Sequence, residues 1–273
     1  MKKHILIILT LLIAVASAGQ TKEEYNEKYQ RLAGRLGLAG VGIETHLDKW
    51  EAAFPDDPRL LEARAQYYLA KGLSSQVVPK PKNKFLGNKP VLSLPDSTGN
   101  PVNYFEEHFY DDELFGQAMK YIDRAIDLNP DDLFFRVDKI VALLDYEKES
   151  PDMAVQEMDK LVEFEKQSHP EWTALGDPVG EDGFSDVMST FCVRLYNIAN
   201  DKGYEAFFNL STKLSKLYPK NSNYLDNIGS YWLVAKGKDK KAMSFYKKAL
   251  KLNPDDEVAK ANIKIIEKKK AKK

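Results

Sequence analysis

The chain is expected to fold as an all-α solenoid of about five helix pairs closed by a C-terminal helix, with a small β-hairpin or loop insertion. Three observations lead there. A short phrase recurs at Phe54-Pro55-Asp56-Asp57, Asn129-Pro130-Asp131-Asp132 and Asn253-Pro254-Asp255-Asp256, with a weaker form at Tyr218-Pro219-Lys220-Asn221. Apolar or small residues stand at fixed steps before each proline. Small and large residues alternate at fixed steps after it. Each Pro stops one helix, and the polar residues behind it cap the next.

The steps before the prolines are the same in each copy. Ala118, Ile122 and Ala125 precede Pro130, and Ala242, Tyr246 and Ala249 precede Pro254. Ile43, Leu47 and Trp50 precede Pro55, while Phe207, Ser211 and Leu214 precede Pro219. Steps of four and three put these residues on one helical face, and Ala there lets two helices approach closely. After the prolines, Ala65 and Gly229 are small, and Tyr68, Leu143 and Trp232, one turn on, are large. Ile140 breaks the small-residue rule after Pro130.

The run Leu225-x-x-Ile228-Gly229-x-x-Trp232, followed by Ala242-x3-Tyr246-x2-Ala249-x4-Pro254, resembles the tetratricopeptide repeat of 34 residues. Residues 220–254 match best, with one extra residue in the turn Lys236-Gly237-Lys238-Asp239. The resemblance implies a right-handed α-α superhelix. It also implies an inner groove, lined by the first helix of each pair, that accepts a peptide or an extended partner segment. Carried over by phase, the groove residues are Arg59, Glu62 and Gln66, then Phe134, Val137, Asp138 and Val141, then Asn223, Asp226, Asn227 and Ser230. Families that grip a peptide carboxylate carry paired Lys, Arg and Asn here. Only Asn223 and Asn227 fit, and Asp138 and Asp226 oppose an anion, so a mixed polar and apolar groove is expected. The phase around residues 184–200 is not fixed by the pattern.

Proline spacing then organises the chain. Pro219 to Pro254 spans one repeat, while Pro55 to Pro130 and Pro130 to Pro219 are too long for whole repeats. The surplus defines two insertions, at about 73–112 and 168–184, within a repeat domain of residues 19–273. The first holds Pro95-Asp96-Ser97-Thr98-Gly99-Asn100 between short apolar runs, which reads as a β-hairpin with Pro101 tolerable only at an edge. Its aromatics, Phe85, Tyr104, Phe105, Phe109 and Tyr110, argue for an ordered segment. The second, with His169-Pro170-Glu171-Trp172, reads as coil and turns pinned by Trp172.

Residues 1–18 read as a cleaved signal peptide. Lys2 and Lys3 precede an apolar run to Ala16, and Ala16-Ser17-Ala18 is a small-x-small cleavage pattern. The run is shorter than the ~20 residues of a membrane anchor. The sole cysteine is Cys192, which leaves no acceptor for a lipid anchor. A periplasmic or secreted bacterial protein is therefore expected, without a membrane span after cleavage. Losing Lys2 and Lys3 moves the net charge from −1 to −3, which argues against nucleic acid as a partner.

Chemistry is hard to place. His4, His46, His108 and His169 form no His-x3-His or His-Glu-x-x-His pair, and Gly34, Gly37, Gly40 and Gly42 follow no strand. Asp111-Asp112-Glu113 suits a helix start and matches no calcium loop. Cys192 sits in a helical pattern as a small buried residue. Neither a catalytic residue, a metal nor a cofactor is expected. The function read from the sequence is a non-catalytic scaffold of the cell envelope holding a protein or peptide partner. The alternative is a glycan-binding or enzymatic accessory acting through the 73–112 insertion.

Overall fold

A computed structural model gives residues 20–271; the expected signal peptide and its cleavage point lie outside these described residues. Helices pair along the chain. α1 (Lys22–Leu36) packs with α2 (Ile43–Ala53), α3 (Pro58–Gly72) with α4 (Asp112–Leu128), and α5 (Leu133–Glu147) with α6 (Asp152–Ser168). α7 (Gly183–Asn197) packs with α8 (Asp201–Leu217), and α9 (Ser222–Ser230) with α10 (Asp239–Leu252), before α11 (Glu257–Ala271) closes the row. This is the expected solenoid of five pairs plus a cap. Each pair has only one apolar seam of its own and buries the remainder against its neighbours, as repeat arrays do.

The seams are built from the residues whose spacing marks the repeat. Ala65, Ala118 and Ala125 are fully buried between α3 and α4. Gly229 lies so close to Tyr246 that an added Cβ would stand 2.7 Å from its ring. Trp50, Tyr224 and Tyr246 are buried completely, and each contributes roughly 2–3 kcal/mol of transfer free energy.

The acidic residue after each proline does more than start a helix. Asp57, Asp132 and Asp256 accept the backbone N–H of Arg59, Phe134 and Ala259 through Oδ1. The second oxygen of each reaches another element. Asp57 Oδ2 accepts the Trp50 indole N–H at 3.0 Å, Asp132 Oδ2 the Gly176 amide at 3.1 Å, and Asp256 Oδ2 the Ser222 hydroxyl at 2.9 Å. Asn221 plays the same part with its amide, which donates to Ser185 Oγ at 3.1 Å. The cap thus joins its helix to a neighbouring pair or, for Asp132, to the second insertion, which explains why the three aspartates are buried rather than solvated.

The first insertion is a three-stranded antiparallel sheet rather than a simple hairpin. β1 (Leu73–Lys80) and β2 (Leu92–Pro95) flank β3 (Pro101–Tyr110) in the order β1-β3-β2. Pro101 is therefore not on an edge strand; it is the first residue of the central one, paired with Pro95, where no further ladder bond is lost. The loop 81–90 folds under one face, placing Phe85 against Phe105. The second insertion is a two-residue hairpin, β4 (Thr173–Ala174) and β5 (Asp177–Pro178). Trp172 stacks on Phe184 and donates its indole N–H to Glu165 at 2.8 Å, pinning the segment as the sequence suggests.

One detail departs from the sequence reading. The extra residue of the last pair is absorbed in a π turn, Tyr231–Ala235, directly after α9, where Lys236 N–H reaches back to Tyr231 O. A π turn closes one residue later than an α turn, so it takes up a single inserted residue without breaking the helix.

Candidate binding groove

The first helices of the pairs, α3, α5, α7 and α9, form one row, and their outward residues are the surface on which an occupant would lie. On α3, Arg59 is exposed, while Glu62 and Gln66 are half-buried. On α5, Phe134, Val137, Asp138 and Val141 are all half-buried. These two helices meet through side chains: Gln66 Nε2 donates to Asp138 at 3.2 Å. Burial pushes the Asp138 carboxyl up to about 6, with the Gln66 bond opposing it. Burial likewise raises Glu62, against the pull of the Arg59 guanidinium and reinforced by Asp138 and Asp132.

Several other buried or half-buried acids have cations, while Glu147 and Glu165 are held by N–H and O–H donors. Glu51 pairs with Arg64, Glu107 with Lys80 and Lys148, Asp145 with Arg194, and Glu157 with Lys139. Among the described residues, Glu62 and Asp138 make no ion pair.

α9 contributes less than its phase suggests. Asn223 is exposed, and Asn227 is half-buried beside the Cys192 thiol. Ser230 turns toward α10, its hydroxyl 3.2 Å from that of Tyr246. Asp226 is buried against α11, where burial and the neighbouring Asp256 carboxylate push it up to about 8. The structure therefore brings Arg59, Glu62, Gln66, Phe134 and Asp138 into one cluster and leaves Asn223, Asn227 and Ser230 apart from it.

Between them lies α7, whose phase the proline pattern does not set. It buries Phe184, Met188, Phe191, Cys192 and Leu195 and leaves Asp186, Thr190 and Val193 exposed. Val193 shows 58% of its surface, an apolar side chain in the middle of the row. Steps of four and three from Asp186 would have found this stripe, had the insertion before it not obscured where the helix starts.

Both insertions touch α5, at opposite ends. Thr173 N–H donates to Asp131 O, and Gly176 N–H to Asp132, at the first turn. At the last turn Lys148 donates to Glu107 on β3 at 2.9 Å and sits over the Phe109 ring. Beside that contact is a cavity of about 400 Å³, lined by Phe85, Glu107, Leu144, Asp145, Lys148 and Arg194 among others. Its charges are satisfied internally, Glu107 by Lys148 and Asp145 by Arg194, so it reads as a joint between sheet and solenoid. Among the described residues there is no group of three or more His, Cys, Asp or Glu placed to hold a metal, and no helix is long and apolar enough to cross a membrane.

The family described as tetratricopeptide repeat matches residues 225–256, which span the end of α9, the π turn and α10. This stretch is a tetratricopeptide repeat. In it, the Gly229–Tyr246 contact and the buried Ala242 and Ala249 supply the small-against-large seam of the repeat. A search of curated proteins finds no match.

Similar solved structures include YrrB, described as a TPR protein with an unusual peptide-binding site. It is 12% identical, with 89% of this chain and 92% of that chain covered and a TM-score of 0.41. A human IFIT1 dimer with PPP-AAAA is 12% identical, covering 92% of this chain and 47% of that chain at a TM-score of 0.33. Yeast Tom70 is 13% identical, with the same coverage and the same TM-score. The chain thus spans about half the length of the latter two.

Proposed function

We propose that the protein is a non-catalytic scaffold that holds an extended segment of a partner polypeptide against α3, α5, α7 and α9, and that it does so in the bacterial cell envelope. The observation that carries this reading is the pair Glu62 and Asp138, two half-buried acids on the inner row that make no ion pair among the described residues. A Lys or Arg of the occupant would pair with these carboxylates, and Phe134 and Val193 would cover its apolar neighbours. Carboxylate-gripping chemistry is disfavoured by the same two acids. The envelope setting rests on the basic start, the apolar run and the Ala16-Ser17-Ala18 pattern of the sequence.

Crosslinking in the native host, with the captured protein identified by mass spectrometry, tests the reading. A Glu62→Gln, Val193→Lys double variant, changed at two positions that hold no side-chain hydrogen bond among the described residues, should lose the captured partner while its melting temperature barely moves. Undiminished capture by that variant would remove the inner row as the contact surface.

A further inference from the structure

The three-stranded sheet has one guarded edge and one open edge. β2 is short, and Pro95 at its end and Pro90 just before its start carry no N–H to offer another strand. β1 is eight residues long, exposed at every position except Val78 and Lys80, and without charge from Leu73 to Pro79. Proteins ordinarily protect such an edge with Lys, Pro or a bulge, because its free N–H and C=O groups are a template for another strand.

The register tells which groups are free. Asp111 N–H donates to Gly72 O at 2.9 Å, immediately before the strand pairing begins at Leu73 and Tyr110. Antiparallel ladders alternate, so Ser74, Gln76 and Val78 turn their backbone groups toward β3. Leu73, Ser75 and Val77 turn theirs outward.

We infer that this edge pairs with the same edge of a second copy of the chain, antiparallel and centred on Ser75. Leu73 then lies opposite Val77 of the second copy, and Ser75 opposite Ser75. On the other face Ser74 lies beside Gln76. Every outward N–H and C=O of the three residues gains a partner. Leu73 and Val77, 41% and 58% exposed in the single chain, cover each other, while polar side chains meet polar ones. No charge is buried, and Pro79 stands beyond the paired stretch. The match of the strand to its own reverse favours a second copy over an unrelated segment, and joins two sheets into one. The inference is independent of the inner row of helices.

Sedimentation velocity of the purified chain at micromolar to tenth-millimolar concentration should give twice the chain mass. Val77→Lys should halve that mass, and Thr98→Lys, at the far turn of the sheet, should leave it unchanged. Under mild oxidation Ser75→Cys should crosslink fully, because opposed strand residues lie within the ~4.4–6.8 Å that a disulfide spans. Gln76→Cys, which faces Ser74, should not. Native Cys192 is buried and does not compete. A monomer at every concentration, a Val77→Lys protein as heavy as the wild type, or equal crosslinking at positions 75 and 76 would each overturn the inference.

Discussion

The Gln66 amide on α3 holds the Asp138 carboxyl on α5 at 3.2 Å, joining the first helices of two consecutive pairs across the candidate groove. The bond reaches a carboxyl that burial keeps protonated to about pH 6, against an ordinary value of 3.8. The native protein therefore binds a proton there that the unfolded chain releases.

Stability from Asp138 is consequently fullest below about pH 4 and is lost as the pH rises through about 6. Asp138→Asn removes this dependence while keeping an acceptor for Gln66. Thermal melts should find the variant more stable than wild type by roughly 1–2 kcal/mol at about pH 7, with the two converging near pH 4. Parallel pH profiles would contradict the buried, proton-holding carboxyl.

A second buried acid acts at the end of the array. Asp226 is raised to about 8 by burial and by Asp256, so its contribution is likewise lost as pH climbs from about 4 through 8. Asp226→Asn should stabilise the protein at alkaline pH by about 1–2 kcal/mol. Hydrogen exchange should localise the gain to α11, whose first turn Asp256 caps. Uniform protection along the chain would point to another origin.

Two glycines in helices should respond oppositely to alanine. At Gly116, in the second turn of α4, an added Cβ meets nothing within 4 Å, and the helix gains by about 0.5–1 kcal/mol. At Gly229 it would stand 2.7 Å from the fully buried Tyr246 ring, at a cost of about 1–3 kcal/mol. Urea titration of both variants checks the sign of each change.

Asp57 carries two bonds, and two substitutions separate them. Asp57→Ala loses both the cap on Arg59 N–H and the partner of the Trp50 indole, and should cost about 2–4 kcal/mol. Asp57→Asn can keep the cap but sets an amide N–H against the indole N–H, so its loss should be intermediate. Equal losses for the two would mean that the indole bond contributes nothing.

Much of this architecture was legible because one device recurs at Pro55, Pro130, Pro219 and Pro254: a proline that ends a helix and a polar cap that begins the next. Ala118, Ala125, Ala242 and Ala249 announced the seams for the same reason, since only small residues let the helices close. β1 was not legible. Leu73-Ser-Ser-Gln-Val-Val has no alternation, because neither face of the strand is deeply buried. The candidate groove was legible only where a proline fixed the phase. Arg59, Gln66, Phe134 and Asp138 follow Pro55 and Pro130 directly and fall together. α7 follows an insertion instead, so Asp186, Thr190 and Val193 went unplaced. Asp226 was expected on the groove face because its phase alone suggested it; the fold covers it with α11.

Insertions docked on both termini of α5 leave a strip limited by the length of that helix, 15 residues, or about 22 Å at 1.5 Å per residue. A single helix, about 10–12 Å across, or an extended strand fits such a channel. A folded domain of ordinary size, with a radius of gyration near 13 Å, is too wide to enter it. On the proposed reading, an occupant lying across α5 would present a tail, a loop or a lone helix, and the face would select for protruding chain rather than for the surface of a compact body.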